Sequence, residues 1–248
     1  MALLGRPLAG AAQDPAKEGV DGASSAAEPP PEVNGDAVMA RIYERMSRVE
    51  REFPGHFSRR SVVRREFDPD DGELRETRRF EVEVWGWNGR SDRTKILRCE
   101  IDGEVVDNEK CAPQLKAEPM HPMFGAEGRK HYDLEFGGAV ERDGEKLWRI
   151  RSVPREETMR HFKGDLLVRQ ESLTVAALEG DLAHHPFGLK SLELALRFEN
   201  KDGRGLLASG RSEIVLYVPL LVDARVETEF TARDQRALKP DEFAEFEG

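Results

Sequence analysis

From Phe57 to Phe230 the chain alternates apolar and polar residues with a period of two, the spacing of half-buried β-strands. The clearest run sets Leu192, Leu194, Leu196 and Phe198 against Glu193, Arg197 and Glu199. Phe80, Val82 and Val84 oppose Glu81 and Glu83, while Val226, Thr228 and Phe230 oppose Arg225, Glu227 and Glu229. Further runs pass through Phe57, Ser61, Val63 and Phe67, through Tyr132, Leu134 and Phe136, through Trp148 and Ile150, and through Ile214, Leu216 and Val218. Turn-forming "DPDDG", "RDGEK" and "NKDGRG" separate several of them. The count is about 10–11 strands joined mostly by short loops, which predicts an antiparallel meander. In "RHFKGDLLVRQESLTVAALEGD", residues 160–181, Phe162, Gly164, Leu166 and Val168 share one side. His161 falls on the polar, solvated side, and a second run is expected through Leu173, Val175 and Ala177.

Before the strands stands one helix. Asp36 can cap it, Val38, Ile42, Met46 and Val49 keep one stripe, and Pro54-Gly55 ends it. Residues 1–35, rich in Ala, Gly, Pro and acids, read as a disordered leader. Residues 36–232 read as one domain and 233–248 as a polar tail. Residues 102–130 are too long for a hairpin loop and carry Met120, Met123 and Phe124, which makes them a candidate lid.

Width then decides the architecture. Eleven strands spaced about 4.7 Å apart make a ribbon about 50 Å wide. A helix about 10 Å across covers roughly two strands. A flat sheet would leave most of its apolar face wet, so the sheet must curl or split. The hairpin connections favour a curled sheet, an unclosed half-barrel around the helix and lid, over a sandwich.

Composition excludes other classes. The net charge of −10 argues against nucleic acid. With 35% charged and 7% aromatic residues, the surface is ionic and the core aliphatic. Arg59-Arg60 and Arg64-Arg65 alternate with acids as cross-strand pairs on a solvated face do. No apolar run reaches the roughly 18 residues of a membrane span. "MALLGRPLAGAAQD" resembles the end of a signal peptide, but its apolar stretch is short and broken by Arg6 and Pro7. Cys99 and Cys111 either form one disulfide or stay two buried thiols; an oxidising compartment would bridge them.

Catalytic and metal signatures are missing from the spacing. No Cys-x-x-Cys or paired-His pattern supplies four zinc ligands, and His184-His185 reads as an exposed loop. "DPDDGE" departs from a calcium loop and reads as a hairpin turn. No Ser/His/Asp set and no phosphate-cradling loop emerges, so neither a catalytic nor a metal site, and no cofactor, is expected. Trp85 and Trp87 share the face of Glu81 and Glu83, where they cover a sheet edge or form an apolar patch for a partner or membrane surface.

The single helix before a long meander resembles the periplasmic lipoprotein-carrier superfamily typified by LolA, which includes lipoprotein sensors. The nearest local likeness is residues 132–181, where a strand ending in Val153-Pro154 precedes a strand with Gly-Asp-Leu at 164–166. The resemblance implies an unclosed barrel whose apolar concavity holds acyl chains. On that basis Ile42, Met46, Val82, Met120, Met123, Phe124, Phe162, Leu166, Leu194, Phe198 and Phe230 are the expected cavity lining. The implied function is a non-enzymatic carrier or sensor of a lipid or a lipidated protein. It would be a periplasmic monomer with a possible envelope protein partner, the cytoplasm being the other compartment considered. The competing reading is a protein-interaction module with a filled core that recruits a partner through a sheet edge or the aromatic patch.

Overall fold

The computed structural model describes residues 33–52, 55–87, 93–111, 121, 123–219 and 222–238. Asn34, rather than Asp36, caps the helix: its Oδ1 accepts the Ala37 amide at 3.1 Å. Asp36 sits in the first turn instead, where its charge suits the helix dipole. α1 (Gly35–Glu52) buries Val38, Met39 and Ile42, each contributing roughly 1.5–3 kcal/mol of burial.

Eleven strands follow in one antiparallel sheet. They are β1 (Gly55–Phe67), β2 (Leu74–Trp87), β3 (Arg93–Ile101), β4 (Glu104–Val106), β5 (Tyr132–Arg142), β6 (Glu145–Pro154), β7 (Phe162–Arg169), β8 (Val175–Leu182), β9 (Leu189–Lys201), β10 (Arg204–Val218) and β11 (Val222–Ala237). The spatial order is β4-β3-β2-β1-β11-β10-β9-β8-β7-β6-β5. β4 and β5 remain edges, so the barrel is unclosed, and α1 lies on one face. Two meanders, β1–β4 and β5–β11, therefore meet at one seam, where β1 pairs with β11 from His56↔Ala237 to Phe67↔Arg225.

Several local expectations need correction. β11 runs to Ala237 and Leu238 is 2% exposed, so the folded chain passes the boundary expected at 232. Leu173 lies in the β7–β8 turn at φ +54° and not in a strand. On β8, Ala177 opposes Leu167 and Leu178 opposes Leu166, so Ala177 points away from α1 and Leu178 toward it. A bulge at the Leu167/Val168 step inserts one residue and inverts the phase that Val175 suggested. In β1 it is Val62 that faces the helix side, paired with Phe80 and Phe230, and Ser61 and Val63 face away. Of the expected lid, β4, a short 3-10 turn at Asn108–Cys111 and α2 (Gly125–His131) are described. Met120 and most of the leader lie outside the described residues.

Candidate functional site

The register places one apolar residue on every strand in a single row across the sheet. From β5 to β4 it runs Phe136, Ile150, Leu166, Leu178, Leu196, Gly210, Phe230, Val62, Phe80, Cys99 and Val106. Each member is the cross-strand partner of the next, so all eleven share the face that α1 covers. Gly210 is the one gap. A Cβ there would stand 2.3 Å from the Phe230 ring and 2.7 Å from Leu196 Cδ2, so those side chains fill the space over the glycine.

α1 covers only one end of this row. Its stripe packs on Ile150, Leu166 and Val168, joined by Leu134, Phe136, Trp148, Met123 and Phe124. Ile42, Ile150 and Val168 are 0% exposed there and Leu166 is 1%. The inner side of the β7–β8 hairpin thus meets ordinary close-packed core. Phe162, also fully buried, lies over Gly164 and Gly180, where a Cβ on either would stand within 2.8 Å of its Cζ. Beyond β8 the face becomes mixed: Leu196, Phe230, Val62 and Phe80 are half-buried, as are Leu192, Leu194 and Phe198, whereas Cys99 and the same-face Val82, Val84 and Val226 are buried.

The expected lining therefore separates into two groups. Ile42, Phe162 and Leu166 belong to the core beneath or beside α1, and Val82 is buried at 4% exposure. Leu194, Phe198 and Phe230 lie on the half-buried stretch, and Met46, Met123 and Phe124 pack around the helix. Sequence patterning missed the polar side of this surface. Arg60 and Arg64 alternate with Val62 and so face inward, while Arg59 and Arg65 face outward to Glu83 and Glu229. The Arg60 guanidinium stands 5.3 Å from the Phe230 ring centroid, at the border between the apolar and charged parts of the face.

Cys99, next to last in the row, is bonded to Cys111, with Cα atoms 5.9 Å apart. The bridge ties the short 3-10 turn to β3, and both half-cystines are buried.

The opposite face is mixed: Leu147, Leu167, Ala176 and Ala177 form a second buried apolar cluster, and charged side chains surround it. A cleft of about 780 Å³ there is lined by Arg151, Lys163, Asp165, Asp181 and His185, among others. Arg151 and Asp165 pair directly and alternate out of phase with Ile150 and Leu166, which assigns the cleft to the outer surface. His185 is held by Asp181 at 2.8 Å, and its neighbour His184 is exposed. Trp85 is on this outer side, its ring 5.4 Å from that of Phe57, with Arg236 stacked on Phe57 in turn. The Trp87 side chain lies outside the described residues. His161 is a further correction, because it is 1% exposed and not solvated.

No protein-family model matches the chain, and a search of curated proteins finds no match either. Among solved structures it is similar to a putative outer membrane lipoprotein-sorting protein domain from Vibrio parahaemolyticus. That pair shares 13% identity over 86% of this chain and 98% of the other, with a TM-score of 0.47. It is similar also to a LolA superfamily protein from Nitrosomonas europaea, at 14% identity over 82% and 96% of the two chains and a TM-score of 0.42. A DUF1329 family protein from Desulfovibrio piger gives 14% identity, 84% and 95% coverage and a TM-score of 0.41. At these identities and scores it is the geometry, and not the likeness, that has to support any statement about function.

Proposed function

We propose that this chain is a non-enzymatic carrier or sensor that holds a lipid acyl chain, free or attached to a lipidated protein, on the inner face of its half-barrel. The observation behind this reading is the apolar row that crosses all eleven strands while α1 seals only its β5–β8 end. A polymethylene chain laid along Leu196, Phe230, Val62 and Phe80 would remove half-exposed apolar surface from water at roughly 25 cal/mol per Å². Arg60 at the border would favour an anionic or carbonyl-bearing end group there. A buried disulfide fits an oxidising compartment, which supports a periplasmic site of action over the cytoplasm. The edges support a monomer: β4 is only three residues long, and β5 is broken by a register shift between Phe136 and Ala139.

The test is a fluorescent fatty-acyl probe on purified protein, with Leu196→Glu and Phe230→Glu as variants. Binding to the wild type, lost in both variants while their melting curves stay close to it, is the expected result. A wild type that takes up no probe, or variants that bind as before, would refute the proposal. A collapsed melt in both variants would mean that this stretch is packed core and would favour the interaction module.

A further inference from the structure

Three histidines distant in sequence converge where the sheet begins: His121, His131 at the end of α2, and His161 just before β7. Their candidate ligand nitrogens all lie within 4.8 Å of one another. The rings of His121 and His131 stack at 3.7 Å, and His161 lies 4.8 Å from the first and 5.3 Å from the second. His161 Nε2 stands 3.4 Å from His131 Nδ1. Two nitrogens held at 2.0–2.1 Å by one tetrahedral zinc are about 3.3–3.4 Å apart, so this pair already has the spacing of a coordination edge.

Each backbone is fixed independently of the rings. The His121 amide donates to the Arg160 carbonyl (2.9 Å), the Arg155 amide to the His131 carbonyl (2.9 Å), and the Ala183 amide to the His161 carbonyl (2.7 Å). Buried Tyr132 braces the group. Its hydroxyl oxygen accepts the Phe162 amide at 3.0 Å, and its hydroxyl reaches the His121 carbonyl at 3.5 Å. His161 Nδ1 is 2.7 Å from Thr158 Oγ1. If Nδ1–H donates to that oxygen, Nε2 keeps its lone pair and points at the other rings, the arrangement that outer partners impose on metal-binding histidines. One shared proton can join only two of the three nitrogens, whereas a cation among them satisfies all three.

We propose that His121, His131 and His161 bind a divalent ion of the zinc class, clamping α2 and His121 to the β6–β7 loop. The ion draws the longest nitrogen separation in by about 1.4 Å and leaves a fourth tetrahedral position for water or an incoming ligand. Cys99 and Cys111 play no part, because both are consumed in their disulfide.

The experiment is calorimetric titration of chelator-treated full-length protein with zinc, with cobalt(II) as a spectroscopic substitute. One ion per chain, a raised melting temperature and the visible bands of tetrahedral cobalt are expected. His121→Gln and His131→Gln should each weaken binding at least about 100-fold. The double variant His184→Gln/His185→Gln should bind as the wild type does. Imidazole-nitrogen NMR of the wild type reads the same ligation without mutation, should a variant fail to fold. A wild type that binds no zinc, zinc that leaves the imidazole nitrogens unshifted, or binding that depends on His184 and His185 instead would overturn the proposal.

Discussion

At the scale of single residues, the two leucines Leu166 and Leu194 look alike in sequence yet differ in what removing them should cost. Leu166 is 1% exposed beneath α1, and Leu194 is half-buried beyond it. Leu166→Ala should therefore lose roughly 2–5 kcal/mol, and Leu194→Ala clearly less. Equal shifts in the urea midpoint would show that the sheet face is uniformly packed. The glycine pair in the same hairpin makes a sharper case. A Cβ on Gly164 would meet the Glu179 carbonyl oxygen at 2.2 Å and Gly180 Cα at 2.7 Å, and backbone cannot swing aside as a side chain can. Gly164→Ala should cost about 1–3 kcal/mol by spreading β7 from β8, read as faster amide exchange in both strands. The histidines differ again. Burial, reinforced by neighbouring His131, lowers the His161 and His121 pKa values below the usual imidazole range. This lowering follows from where the chain folds, and the convergence of the three histidines has no signature in spacing, since they lie 10 and 30 residues apart.

Among the elements, the short 3-10 turn at Asn108–Cys111 is tied to β3 by a covalent link. Cys99 and Cys111 close a loop of 12 residues in sequence separation, for which the chain-entropy estimate is about 2–3 kcal/mol. Cys111→Ser should lower the denaturation midpoint accordingly and loosen β4, whose partner strand holds the other half-cystine. An unchanged midpoint on reduction would show that packing alone holds the turn. The element scale also explains what the sequence made legible. Strict alternation located β9 and β11, because Leu192–Phe198 and Val226–Phe230 contain no irregularity inside the pattern. It failed on β8, where a bulge shifts the phase, and on β1, where Arg60 and Arg64 occupy inward positions that polarity alone assigns outward. α2 carries no apolar stripe in "GAEGRKH", so nothing in its pattern separates it from a loop. The candidate apolar surface was legible as a set of residues, but not its division into sealed and open halves. That division depends on how far one helix reaches.

For the whole molecule, the central fact is the seam between β1 and β11. Every other neighbouring pair in the sheet is consecutive in the chain, whereas this one joins residues 168 positions apart at Val62↔Phe230. Long-range pairing closes slowly, because loop entropy is lost before contacts repay it. Pulse-labelled exchange during refolding should protect amides at the β5–β6 and β6–β7 pairings before those at β1–β11; simultaneous protection would contradict this order. The seam also sets a direction on synthesis. A ribosome delivers β1 before the other ten strands and β11 after them, so while β2 to β10 emerge the chain exposes an unpaired strand edge in what will become the middle of its sheet. A nascent chain built this way needs either a holding chaperone or rapid completion. A ribosome that stalls after β10 would release a species ready to pair with the same edge of another copy.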